Sequence, residues 1–164
     1  MKKPVSISRF LVLRLLMFLA AVLVAYAGAA LTASQAVIQQ LVKMGVPLSL
    51  ADRLSMLGHD LAGLAASLLP MIALGFIIAF LVAALLYRWL RRGRPLLYAL
   101  AGAAALVTIH VLMKVSFGIS PVAIARSTSG LLVQGLAGAA GGWVYAYLLR
   151  RAPDKPFDTK LAEP

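Results

Sequence analysis

LAGLAASLLPMIALGFIIAFLVAALLY, residues 61–87, runs for 27 positions without one charged side chain. A helix rises about 1.5 Å per residue, so this stretch alone exceeds the ~30 Å hydrocarbon core of a bilayer. Backbone N–H and C=O groups cannot go unpaired in lipid, and the run lacks the two-residue alternation of barrel strands. It reads as a spanning helix. Three more runs repeat the pattern. Residues 10–31 are broken only by Arg14, residues 95–115 carry a charge only at Lys114, and residues 130–149 carry none. The sequence therefore predicts an all-α integral membrane protein, a bundle of four transmembrane helices forming one domain over residues 1–151.

Composition agrees. Of the 164 residues, 62% are hydrophobic and 13% charged, against about 25% charged in an average soluble domain. Mean hydropathy is +0.94. These values exclude a soluble globular domain and a disordered chain. There is no cysteine, hence no disulfide, thiolate metal site or covalent haem attachment. The net charge of +11 would point to nucleic acid in a soluble protein. Here the basic residues flank apolar runs, so the expected partner is anionic membrane lipid, with no nucleic acid.

The basic residues also set the orientation. Twelve of the sixteen fall on one side of the predicted bundle. Lys2, Lys3, Arg9 and Arg14 precede or enter the first span. Arg88, Arg91, Arg92 and Arg94 lie between the second and third. Arg150, Arg151, Lys155 and Lys160 follow the fourth. Lys43, Arg53, Lys114 and Arg126 fall on the other side. Such asymmetry places both termini in the cytoplasm of a bacterial inner membrane. Tyr87, Trp89, Tyr98, Trp143, Tyr145 and Tyr147 are expected in the aromatic belt at that interface. The start of the chain also resembles a secretory signal, with Lys2-Lys3, an apolar stretch and Ala25-Tyr26-Ala27-Gly28-Ala29. Arg14 and the length of the apolar run argue for a retained span.

On the outer side, residues 34–57 predict short amphipathic helices lying on the membrane surface. Ser34 suits an N-cap, and Val37, Ile38, Leu41 and Val42 form an apolar stripe opposite Gln35, Gln39, Gln40 and Lys43. Gly45 and Pro47 end that helix, and Ser49 with Asp52 opens another through a capping box. Ser120-Pro121 predicts a further short helix. Gly93-Arg94-Pro95 predicts a tight turn between antiparallel second and third spans. Residues 152–164 read as a flexible cytoplasmic tail.

Three features of the spans carry chemistry. Small residues form stripes, with Ala21, Ala25 and Ala29, then Gly75, Ala79 and Ala83, then Ala99, Gly102 and Ala103, then Gly135, Gly138, Gly142 and Ala146. They let helices approach closely, either within the bundle or, at Gly138–Gly142, as a seam between copies. Polar residues are costly in lipid and mark function by default. His59, Asp60, His110, Lys114 and Gln134 are expected to converge near the outer face, with an Asp60–Lys114 ion pair as the structural alternative. Pro70 is expected to kink the second span.

No nucleotide-binding, zinc-protease or nucleophile motif is present, and no pair of carboxylates lies in a span. The expectation is a non-enzymatic accessory or assembly subunit, or a homo-oligomer, acting through helix packing on a partner membrane protein or its own copies. A small transporter or channel with an outer polar vestibule is the first alternative. A b-type haem anchor ligated by His59 and His110 is the second; otherwise no cofactor or metal is implied.

Overall fold

A computed structural model describes residues 7–118 and 122–152. Among them are four long helices and no strand: α1 (Ile7–Lys43), α2 (Leu50–Leu90), α3 (Arg94–Phe117) and α4 (Thr128–Arg151). A short 3-10 turn, Ala123–Arg126, precedes α4. All four long helices are long and apolar enough to cross a membrane. Ser120, Pro121 and the tail beyond Ala152 lie outside the described residues.

The separate surface helices are corrected by the structure. α1 continues unbroken from the first apolar run to Lys43. Ser34 is not a cap but a helix-interior residue, 1% exposed. The physical reason is local. No glycine or proline stands between Leu31 and Lys43, and Ser34 packs inward rather than turning to cap the chain. The first true stop is Gly45, at φ +82°. There Val46 N–H donates to the Leu41 carbonyl (3.1 Å) and Gly45 N–H to that of Val42 (3.0 Å). This pair of bonds is a Schellman motif, and its left-handed residue favours glycine.

α2 then starts as the capping-box pattern predicts. The Ser49 hydroxyl accepts from Asp52 N–H (3.2 Å), and the Asp52 carboxylate accepts from Ser49 N–H (2.9 Å). Hydrogen bonds from the Ser49 side chain, and then its backbone, hold the Asp52 carboxyl below its usual range. A depressed carboxyl gives stability that is present above the unfolded-state value and lost as pH falls through the folded one. Protection of the amides of residues 50–54, taken as exchange rate relative to the intrinsic rate at each pH, is therefore expected to fall below about pH 4, beyond the change at α4's start, which Ser127 caps without a carboxylate.

Short connections make neighbours antiparallel, and the helices close into a ring in which α1 touches α2 and α4, and α3 touches α2 and α4. Phe76 and Phe80 of α2 fill the centre, with Phe80 stacked on Tyr145 of α4 (4.7 Å between centroids) and edge-on to Tyr98 of α3 (5.4 Å). Tyr98 is thus 5% exposed. It and Tyr145 are core residues rather than belt residues, a second correction, because four helices converge on that level. Trp89 and Trp143 do face outward.

α4 is held most closely. A Cβ on Gly142 would stand 2.0 Å from the Tyr98 carbonyl oxygen, and one on Gly138 or Gly102 2.2 Å from the other's carbonyl oxygen. On its other face, a Cβ on Gly141 would stand 2.6 Å from the Ala21 carbonyl oxygen. α3, α4 and α1 therefore meet backbone to backbone, as small residues permit.

Candidate functional site

Of the three buried polar residues among those described, Ser34, whose hydroxyl has no partner, stands apart, and His110 and Gln134 belong to one chain of hydrogen bonds across three helices. Gln134 of α4 is fully buried. Its side-chain Nε2 donates to the Ala29 carbonyl (3.1 Å) and to Thr32 Oγ1 (3.2 Å), both on α1. Its Oε1 lies 3.3 Å from His110 Nε2 on α3. The Thr32 hydroxyl in turn donates to the Gly28 carbonyl (2.8 Å). The directions follow from the inventory of donors. Ala29 offers only an acceptor, so the amide NH₂ points to α1, its oxygen points to α3, and His110 carries its hydrogen on Nε2. Both amide hydrogens and the amide oxygen of Gln134 are used.

Of the five polar residues expected to converge, His110 and Gln134 are joined. His59 and Lys114 are exposed on α2 and α3, and Asp60 is partly buried. Among the described residues no Asp60–Lys114 ion pair forms. His110 Nε2 is engaged by Gln134 while His59 faces outward, so the two imidazoles do not frame one haem. The convergence fails for a geometric reason. Gly75 of α2 packs on Ile109 of α3, so His59 and Asp60 stand roughly 20 Å or more beyond the level of His110, while Lys114 presents its side chain on an exposed face of α3.

Thr32 and the Ala29 carbonyl belong to this site and were not singled out in the sequence. The available signal was a hydroxyl residue inside an otherwise apolar run. Tyr26 likewise escaped notice as a link. Its hydroxyl donates to the Leu61 carbonyl, tying α1 to α2.

Of the residues expected to pack helices, Gly138 and Gly142 press on α3 within the same chain. That seam is closed to a second copy. Gly135 faces Val107. Gly75 and Ala79 instead border an open groove of about 350 Å³ between α2 and α3, whose α3 wall includes Ala104, Ala105 and Thr108. Leu74, Ile78 and Leu112 stand exposed at its rim. α2 passes through Pro70 without interruption. Arg88, Arg91, Arg92, Arg150 and Arg151 are exposed at the end of the bundle where α1 begins, and Arg94 is partly buried there.

No protein-family model, curated protein or solved structure matches this chain.

Proposed function

We propose that the chain is a non-enzymatic, multi-pass protein of the bacterial inner membrane, with its basic end and both termini in the cytoplasm, and that it works as an assembly subunit by pairing with a second copy through the face formed by α2 and α3. The charge distribution supports the orientation. The observation that carries the pairing is the open α2–α3 groove. The glycines at the α3–α4 contact, Gly102, Gly138 and Gly142, are covered by backbone of the facing helix, whereas Ala79 and Ala104, with Gly75 against Ile109, line a depression that faces outward. Beside it, Leu81, Val82 and Leu85 form an exposed aliphatic ridge on α2. Ridge and groove on one face are what a two-fold pairing requires, because each copy offers both halves of the contact. The polar chain through His110 and Gln134 supports a structural role for the interior, since its groups are occupied with one another.

Because the natural chain lacks cysteine, single-cysteine cross-linking in native membranes is a clean test. Ile78→Cys and Ala104→Cys are expected to give a band at twice the chain mass on oxidation, and Leu23→Cys on the exposed face of α1 is expected to give none. Adding Ala79→Leu, which fills the groove, is expected to weaken the band several-fold. A groove cysteine that cross-links no more than Leu23→Cys removes the proposal. So does an adduct solely with a different protein.

A further inference from the structure

α1 and α2 continue together past the level at which the other helices stop. Ala33 of α1 packs against Val122 and Ala125, at the short turn before α4. Lys43 comes ten positions after Ala33, about 15 Å farther along the helix. Between α1 and α2 in this region lies an open cleft of about 320 Å³, lined by Gln35, Ile38, Gln39, Val42 and Lys43 of α1 and Arg53 of α2. That volume is at the lower end of the range for small-ligand sites. Two cations from two helices thus face one space. Lys43 is exposed and Arg53 is partly buried. Neither side chain has a hydrogen bond or ion pair to another described residue, and the carboxamides of Gln35 and Gln39 have none either.

No carboxylate lines the cleft. Asp52 precedes Arg53 in the chain, but its carboxylate is committed to Ser49, from whose N–H (2.9 Å) and hydroxyl (2.6 Å) it accepts. Asp60 comes seven positions after Arg53, about 10 Å farther along α2. Two like charges facing one space repel each other, and an anion between them makes both interactions attractive. The guanidinium fork of Arg53 suits the two oxygens of a carboxylate, and Lys43 adds a point charge. The carboxamides bring N–H donors. The remaining wall decides what kind of anion fits. Ile38, 1% exposed, forms an apolar floor, and Val42 beside it is 47% exposed. A bare inorganic anion loses water against that surface and gains nothing from it. An anion with a short hydrocarbon body covers the same surface and is stabilised by burying it.

We propose that this cleft is a binding site for a small organic carboxylate. Arg53 and Lys43 take its oxygens, Ile38 and Val42 receive its hydrocarbon body, and Gln35 and Gln39 donate hydrogen bonds beside it. The site is separate from the α2–α3 groove and makes no use of the pairing proposed there.

The test titrates the full chain, labelled at its isoleucine and valine methyl groups and held in neutral detergent at neutral pH, with hexanoate, with its uncharged isostere hexanamide, and with inorganic phosphate. Methyl NMR reads each site separately. Hexanoate is expected to shift the Ile38 and Val42 signals saturably and to leave Val24, on the exposed face of α1, unmoved. That contrast separates binding in the cleft from partition into the micelle. Hexanamide keeps the hydrocarbon body and loses the charge-assisted bonds, so it is expected to bind roughly tenfold or more weakly. K43Q/R53Q is expected to weaken hexanoate to the same extent. R53K keeps the charge and loses the fork, and is expected to bind several-fold more weakly than wild type. R88Q/R150Q removes the same charge from the opposite end of the bundle and is expected to bind as wild type does. The comparison of hexanoate with hexanamide needs only the wild type, so it decides the matter if a variant does not fold. Equal binding of hexanoate and hexanamide, undiminished binding by K43Q/R53Q, shifts at Val24 that match those at Ile38, or no saturable shift overturns the proposal. So does phosphate that moves the two signals at the same concentrations as hexanoate, because the apolar wall then plays no part. None of these outcomes depends on whether the α2–α3 groove cross-links.

Discussion

Replacing Gly142 by alanine is expected to be among the most damaging single-methyl changes between the long helices. The new Cβ arrives 2.0 Å from the Tyr98 carbonyl oxygen and 3.1 Å from the Ala99 Cα. Neither neighbour is the free end of a side chain, so the only relief is for α3 and α4 to part along their length. Parting also loosens the Gly102–Gly138 contact one turn away and the Tyr98–Tyr145 ring pair (5.4 Å) that spans the two helices. Overpacking of this kind costs about 1–3 kcal/mol, and an unyielding backbone target puts Gly142→Ala at the upper end. Gly58→Ala is the matched control. Nothing lies within 4 Å of its added Cβ, and alanine is the better helix former by roughly 0.5–1 kcal/mol. Unfolding by added SDS from mixed micelles is expected to move in opposite directions for the two variants. Equal behaviour would mean that α3 and α4 do not meet at their backbones.

The second large effect is expected at Gln134. Gln134→Leu keeps the volume and deletes three hydrogen bonds, leaving the buried His110 Nε2–H without its partner, while the partly exposed Thr32 hydroxyl keeps its bond to the Gly28 carbonyl. A buried donor left unpaired costs about 1–3 kcal/mol, while a single interhelical bond in lipid averages about 0.6 kcal/mol. Three bonds at one residue place the loss at about 1–2 kcal/mol. The discriminating measurement is the double variant H110L/Q134L. Removing both partners takes away the unpaired donor as well as the bond, so its cost is expected to fall short of the two single costs added together. Strict additivity would show that the two side chains are not coupled.

Much of the architecture was readable because it rests on local chemistry. An apolar run such as 61–87 admits one secondary structure in lipid. The capping box at Ser49 and the turn at Gly93 each need only three or four adjacent residues. Ser34 shows where local chemistry stops deciding. The same hydroxyl residue can cap a helix or lie buried within one, and only the neighbours it meets in space choose between them. The candidate site divides in the same way. His110 and Gln134 stood out because polar side chains are costly in spans, yet the groups that satisfy Gln134 lie 102 and 105 positions away along the chain. His59 lay too far along α2 to reach the level of His110, and Lys114 lay on an outward face of α3.

The unequal helix lengths have a mechanical corollary. α3 and α4 contain 24 residues each, α1 37 and α2 41. At 1.5 Å per residue the first two reach about 36 Å and the last two about 55–60 Å. With all four aligned at the basic end, the α1–α2 hairpin overhangs its neighbours by roughly 20 Å. Below that overhang α4 holds α1 at successive levels, at Ala21 through Gly141, at Gly28 through Ala137, and at Ala29 and Thr32 through Gln134. A force applied at the Gly45–Pro47 tip therefore works on the bundle as a lever, and a small tilt outside becomes a torque on the helix that carries Arg14.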